Sequence, residues 1–155
     1  MLVRYLAGEQ VVEGAVRARI RLDFKGVGRP GRFFIGAKPT EKVAEEIREQ
    51  QVALLRNVPI QGVNIEDIDI SAEVYTVYDD ATNGQVAYAP VEILVAAESL
   101  DDLVKFVARD EFRKIELLEP PNITLGKLDV ERLLFRIAEE IKHLRGWLER
   151  KYNNK

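Results

Sequence analysis

The chain has no cysteine, one histidine and only two serines. The first absence removes disulfides, thiol nucleophiles, cysteine-ligated zinc and iron–sulfur clusters. A Ser-His-Asp triad is disfavoured as well, because Ser99 reads as a helix cap, Ser71 lies mid-strand, and His143 sits on the polar side of a helix near Glu139. No stretch approaches the roughly 20 apolar residues of a membrane span. The N-terminal MLVRYLAGEQ holds too short an apolar run for a signal peptide. A cytoplasmic protein without membrane or cofactor is therefore expected, and the sequon Asn122-Ile123-Thr124 carries no weight.

What is present describes a soluble globular chain, 46% hydrophobic and 32% charged over 155 residues, which predicts a single domain over 1–155. The net charge of −3 hides an asymmetry: residues 1–40 hold eight basic and three acidic side chains, and residues 61–111 hold two basic and twelve acidic. Segments so opposed are expected to meet, within a subunit or between subunits. Scattered solvated charge is the alternative.

The stretch 67–97 predicts a β-hairpin around which the rest is organised. Ile68, Ile70, Ala72 and Val74 alternate with polar residues, and Val91, Ile93, Val95 and Ala97 repeat the pattern beyond a polar break at 79–84. Asn83-Gly84 suits a two-residue primed turn, with Thr82 opposite Gln85 and Val74 opposite Ile93. The two apolar stripes then share a face. Pro90 conflicts with a central strand, so either the strand bulges there or 75–89 projects as an arm bearing Tyr75, Tyr78 and Tyr88. On the second face Val77, Val86, Tyr88, Leu94 and Ala96 are apolar, which predicts cover by a partner subunit.

Elsewhere, 12–24 reads as one strand with Arg17, Arg19 and Arg21 laddered on its odd face. A short strand is expected at 33–37, then a helix from a Thr40 cap to about Arg56 with Val43, Ile47 and Leu54 on one face. Ser99 and Asp102 resemble a capping box for a short helix to about Arg109. A strand follows over 112–118, and a long helix over 129–152. The stripe of that helix, Val130, Leu134, Ile137, Ile141, Leu144 and Leu148, steps alternately four and three residues, which suits a helix partner as well as a sheet, and is expected to be buried. Leu133, Phe135 and Trp147 widen it toward ordinary globular packing.

Leaving out the first strand and the last helix, this order spells βαββαβ: an α+β protein with a ferredoxin-like core, an extra N-terminal strand and a long C-terminal helix. Either the first strand or the Phe112 strand borders the central sheet. The alternative is a ββα repeat whose sheet curls into an oligomeric barrel.

Few residues point to chemistry. Gly26, Gly28 and Gly31 spell GxGxxG after a strand, but Arg32-Phe33-Phe34-Ile35 continues as a strand where a phosphate site needs a helix N-terminus. Protein kinases place a similar loop in a hairpin, without the accompanying signatures here. Arg29, Pro30 and Gly31 resemble the ligand loop of ACT-type regulatory domains, with a strand where that family has a helix. The ladder Arg17, Arg19 and Arg21, with Arg29 and Arg32, is the candidate anion-binding set. The competing reading, favoured here, has the ladder neutralised across strands by Asp67, Asp69 and Glu73. Glu66, Asp67 and Asp69 make poor evidence for a metal, Lys38 is the one lysine worth testing for catalysis, and no aromatic pattern supports nucleic acid. The leading expectation is a non-enzymatic, homo-oligomeric binding or assembly module. The rival is a small enzyme or anionic-metabolite-binding protein with its site at a subunit interface near the ladder and the glycine-rich loop.

Overall fold

The computed structural model describes residues 2–28, 39–81 and 83–153. Among them, β1 (Val3–Ala7) and β2 (Gln10–Gly14) form a small hairpin. A second, antiparallel sheet contains β3 (Val16–Val27), β4 (Val63–Asp69), β5 (Tyr75–Asp79), β6 (Gly84–Ala97) and β7 (Phe112–Glu119). The helices are α1 (Thr40–Asn57), α2 (Val104–Val107), entered through a 3-10 turn at Asp101–Leu103, and α3 (Lys127–Asn153). The class is α+β, and the sheet is open, with β4 and β7 at its edges and no closure into a barrel among the described residues.

The pairing of β3 with β6 forms the centre. Val16, Ala18, Ile20, Leu22 and Phe24 face Ala97, Val95, Ile93, Val91 and Ala89 in turn, and none of the ten is more than 1% exposed. Burying each large side chain contributes about 1.5–3 kcal/mol. Val43, Ala44, Val52 and Leu55 of α1 are buried, and Leu103 and Phe106 close the rest of the same core. Leu54, expected on the inner face of α1, is 52% exposed. Val52 and Leu55 take its place.

The strand order β4-β6-β3-β7 makes β3 and β4 parallel with β6 between them, joined through α1. It makes β6 and β7 parallel with β3 between them, joined through α2. The strand expected to be an N-terminal extra is thus central, and the Phe112 strand borders it instead of being displaced. Its early residues separate at Ala15 to form β2, which turns back on β1 through Gly8 at φ 66°. The strand expected at 33–37, together with Arg29, Arg32 and Lys38, lies outside the described residues.

The hairpin has the expected shared face but a different register. Tyr78 pairs with Gln85 and Asp79 with Gly84, a wider connection than two residues, and Asn83, at φ 54°, takes the left-handed conformation. Ile93 faces Ile68, not Val74. Asp79 and Asn83 side chains, accepting from the Ala81 N–H and the Tyr78 hydroxyl, support the wider loop.

Pro90 causes no bulge, and the outer hairpin does not project as an arm, since β3 accompanies β6 out to the Val27–Val86 pair. On its other side β6 pairs with β4 only as far as Glu92 and with β5 only from Tyr88. Pro90 sits at the gap between them. The N and C=O of a residue in an antiparallel strand point the same way, and the Pro90 carbonyl accepts from Arg48 Nη1 at 3.3 Å. The same nitrogen donates to the Ala72 carbonyl at 3.1 Å. The missing N–H therefore falls where no ladder partner exists, and a half-buried arginine of α1 fills the gap.

Thr40 opens α1 as its first residue and donates to Glu41, without capping the helix backbone. Ser99 donates to the Asp102 carboxylate at 2.9 Å, a side-chain pair in place of a capping box.

The largest departure concerns α3. None of its 27 residues is buried. It is fastened at its start, where Asp129 Oδ2 accepts from Gly126 N at 2.8 Å and Arg4 Nη2 at 2.9 Å. These two donors hold the Asp129 carboxyl below its ordinary range. Beyond that Arg4 contact, the helix packs chiefly against the 3-10 turn and α2.

Gly26 owes its identity to packing. A Cβ there would lie 2.3 Å from Ala44 N, because α1 approaches β3 closely over a patch of small residues, Ala44, Ala87 and Ala89. Gly26→Ala should destabilise the protein by about 1–3 kcal/mol in urea unfolding, as overpacking does. Gly146→Ala, on α3 with open space around it, should be neutral or stabilising by about 0.5–1 kcal/mol. Equal effects at the two positions would contradict this packing.

Candidate functional site

Two surfaces stand out: the charged outer face of the sheet and the apolar stripe of α3. The outer face is built by the odd positions of β3, where Arg17, Arg19, Arg21, Asp23 and Lys25 alternate with the core residues. Arg17 grips Glu66 with two parallel hydrogen bonds of 3.1 and 3.0 Å and lies 3.5 Å from Glu119. Arg19 meets Glu116, its cross-strand neighbour on β7, at 3.2 Å. Arg21 makes a second paired contact, 2.8 and 3.2 Å, to Asp23.

The ladder is thus neutralised as expected, but by other acids. Glu66 is the extra residue of a bulge in β4, between the pairs Ile65–Val95 and Asp67–Leu94, and the bulge aims it at Arg17. Asp69 instead accepts the Ser71 N–H at 2.8 Å in a local turn, and the Ser71 hydrogen bonds lower its pKa. The opposed charge segments do meet, through Arg17–Glu66 and, at 3.7 Å, Lys25–Asp79.

Asp23, which the ladder reading passed over, is the centre of this face. It is 2% exposed and accepts from Arg21 and, at 2.5 Å, from the Tyr75 hydroxyl. Arg113 approaches it to 3.7 Å. Tyr75 stacks on Tyr88 with ring centres 5.4 Å apart, and the Arg113 guanidinium lies over the Tyr88 ring at 5.1 Å. The cluster closes on itself. Burial, then the hydrogen bond to Asp23, raises the Tyr75 pKa; the hydrogen bond to Asp23 raises that of Arg21. The clue in the sequence was a single acid in an otherwise basic ladder face.

The apolar cover expected on this face is smaller than the sequence suggested. Val86 is buried, and Tyr88, Leu94 and Ala96 are half-buried. Val27, Tyr75 and Val77 stand open, at 45%, 36% and 42%. On α3 the stripe is open along its length: Val130, Leu134, Ile137, Ile141, Leu144 and Leu148 are 38–60% exposed, and Trp147 is 51% exposed. His143 is exposed on the same helix, away from the stripe.

Among the described residues no three acidic or histidine side chains are placed to hold a metal ion, and no helix is long and apolar enough to cross a membrane. A crevice lined by Arg4, Ser99, Asp101, Thr124, Asp129 and Arg132 offers about 30 Å3, room for little more than a water molecule. Comparison with protein-family models, curated proteins and solved structures gives no match to this chain.

Two predictions follow from the buried acid. Arg21→Ala removes the two-point donor of a buried carboxylate that keeps the Tyr75 hydroxyl, and should cost about 1–3 kcal/mol, whereas Arg19→Ala, losing an exposed pair, should cost about 0.2–1 kcal/mol. Similar losses in urea unfolding would contradict the central place of Asp23. The raised Tyr75 pKa means that the stability linked to this phenol is complete below the unfolded value near pH 10 and is lost as pH rises through the folded value. In a spectroscopic titration one tyrosine should ionise late, and Tyr75→Phe should remove that phase. An unchanged curve would refute the assignment.

Proposed function

We propose that this chain is a non-enzymatic, homo-oligomeric assembly module, with a ferredoxin-like plait as its body and α3 as its means of association. The plait reading is supported by the order β4-β6-β3-β7 and by the two interleaved crossovers through α1 and α2.

The assembly reading rests on one observation: a 27-residue helix without a buried residue carries six large aliphatic side chains on one face. Among the described residues its last turns, from Ile141 onward, make no hydrogen bond or ion pair with the body, and an isolated helix of this length is marginal in water. A contiguous apolar strip of that extent marks an interaction surface. The sheet face contributes less, since its charges are already matched within the chain.

Sedimentation equilibrium at micromolar concentration should therefore show more than one subunit. A chain ending at Glu140 should remain folded, with the cooperative melting of the body, and become monomeric. A full-length monomer would overturn the assembly reading; a shortened chain that fails to fold would show that the end of α3 serves the core instead.

A further inference from the structure

We propose, resting on that assembly reading, that the occupant of the α3 stripe is α3 of a second copy lying parallel and in register. Within the first half of α3, Asp129, Arg132, Leu133, Arg136 and Glu140 are partly shielded. At 3.6 residues per turn this side lies about a quarter-turn from the stripe. The body therefore leaves the seam open along its whole length, and two bodies related by a twofold axis along the seam fall on opposite sides of it.

The stripe has the spacing of coiled-coil seam positions, with Leu134, Ile141 and Leu148 as one set and Val130, Ile137 and Leu144 as the other. Parallel pairing stacks six uninterrupted apolar layers, each residue on its own copy. The flanking positions decide the direction. In a parallel pair each residue before the first set faces the residue five positions further along the partner. This sets Leu133 against Ala138, Glu140 against Arg145, and Trp147 against Tyr152 of the second copy. Every flanking contact is then apolar or oppositely charged, with Glu140–Arg145 occurring twice.

An antiparallel pair overlapping the same six layers would place Arg145 near Glu131, which is favourable, but would set Glu140 against Glu140. Neither Glu140 nor Arg145 has an ion-pair partner among the described residues. Lys151, at the end of the seam, turns onto the Trp147 ring at 4.8 Å.

The absence of cysteine makes the test clean. Leu148→Cys in the full chain, equilibrated in a glutathione redox buffer, should form a disulfide-linked dimer, whereas Glu139→Cys, on the outer side of the helix, should not. In the antiparallel alternative residue 148 lies opposite 130, about 27 Å from its own copy, beyond disulfide reach. Glu140→Lys and Arg145→Glu should each weaken association about tenfold, and the double variant should restore it. Residues five apart are not neighbours on one helix, so the restoration reports contact between copies. If the protein associates but Leu148→Cys links only to Val130→Cys, the parallel alignment is wrong and the assembly reading stands. If sedimentation shows a monomer, both fall. Failure of the double variant to restore association would overturn the Glu140–Arg145 pairing and with it the parallel register.

Discussion

The structure depends first on the pairing of β3 with β6. Twelve residues of β3 find consecutive partners on β6, and the same pairing fixes both faces of the sheet. Even positions of β3 and odd positions of β6 make the core, and the opposite positions make the charged outer face. Because side chains alternate strictly along a strand, a slip of one residue would exchange these faces. It would turn Arg17, Arg19, Arg21, Asp23 and Lys25 into the core and leave Ile20 and Leu22 in water. The cost of such a slip explains why the central strands carry no tolerance for it, whereas the edge strand β4 accommodates a bulge at Glu66.

That arrangement divides the molecule into a satisfied body and an unsatisfied helix. On the body, polar groups are matched where they lie: Arg48 serves the carbonyls beside Pro90, Arg17 holds Glu66, and Asp23 collects Arg21 and Tyr75. Ligand-binding arginines require free donors, and those of β3 already hold carboxylates within their own chain. On α3 the opposite holds, since one exposed face is apolar and no described part of the chain covers it. The position of unsatisfied surface, more than its chemical class, is what directs the functional reading to the helix.

Much of the body was legible in the sequence because strand alternation is a strong signal. The stripes of β3 and β6 and the shared face of the hairpin follow from it, and the extents of α1 and α3 follow from helical spacing and end signals. The register of the hairpin did not, because it depends on whether Asn83-Gly84 closes a loop of two residues or a wider one, and side chains of Asp79, Tyr78 and Asn83 decide that locally. Pro90 misled because a missing N–H is costly only where a partner strand stands opposite. The shift of apolar residues from Val63 and Ile65 to Ile68 and Ile70 did contain the bulge at Glu66, and with it the true partner of Arg17. The exposure of α3 could not be read, since a stripe stepping three and four is the same whether it faces its own core or another chain.

The account therefore turns on whether the end of α3 is held by a second copy. Amide hydrogen exchange followed against protein concentration tests this most directly. The account predicts protection over Ile141–Tyr152 that falls steeply on dilution while β3 and β6 remain protected, because a lone helix end opens freely and the paired one does not. Protection of that segment unchanged across the dilution series would contradict it.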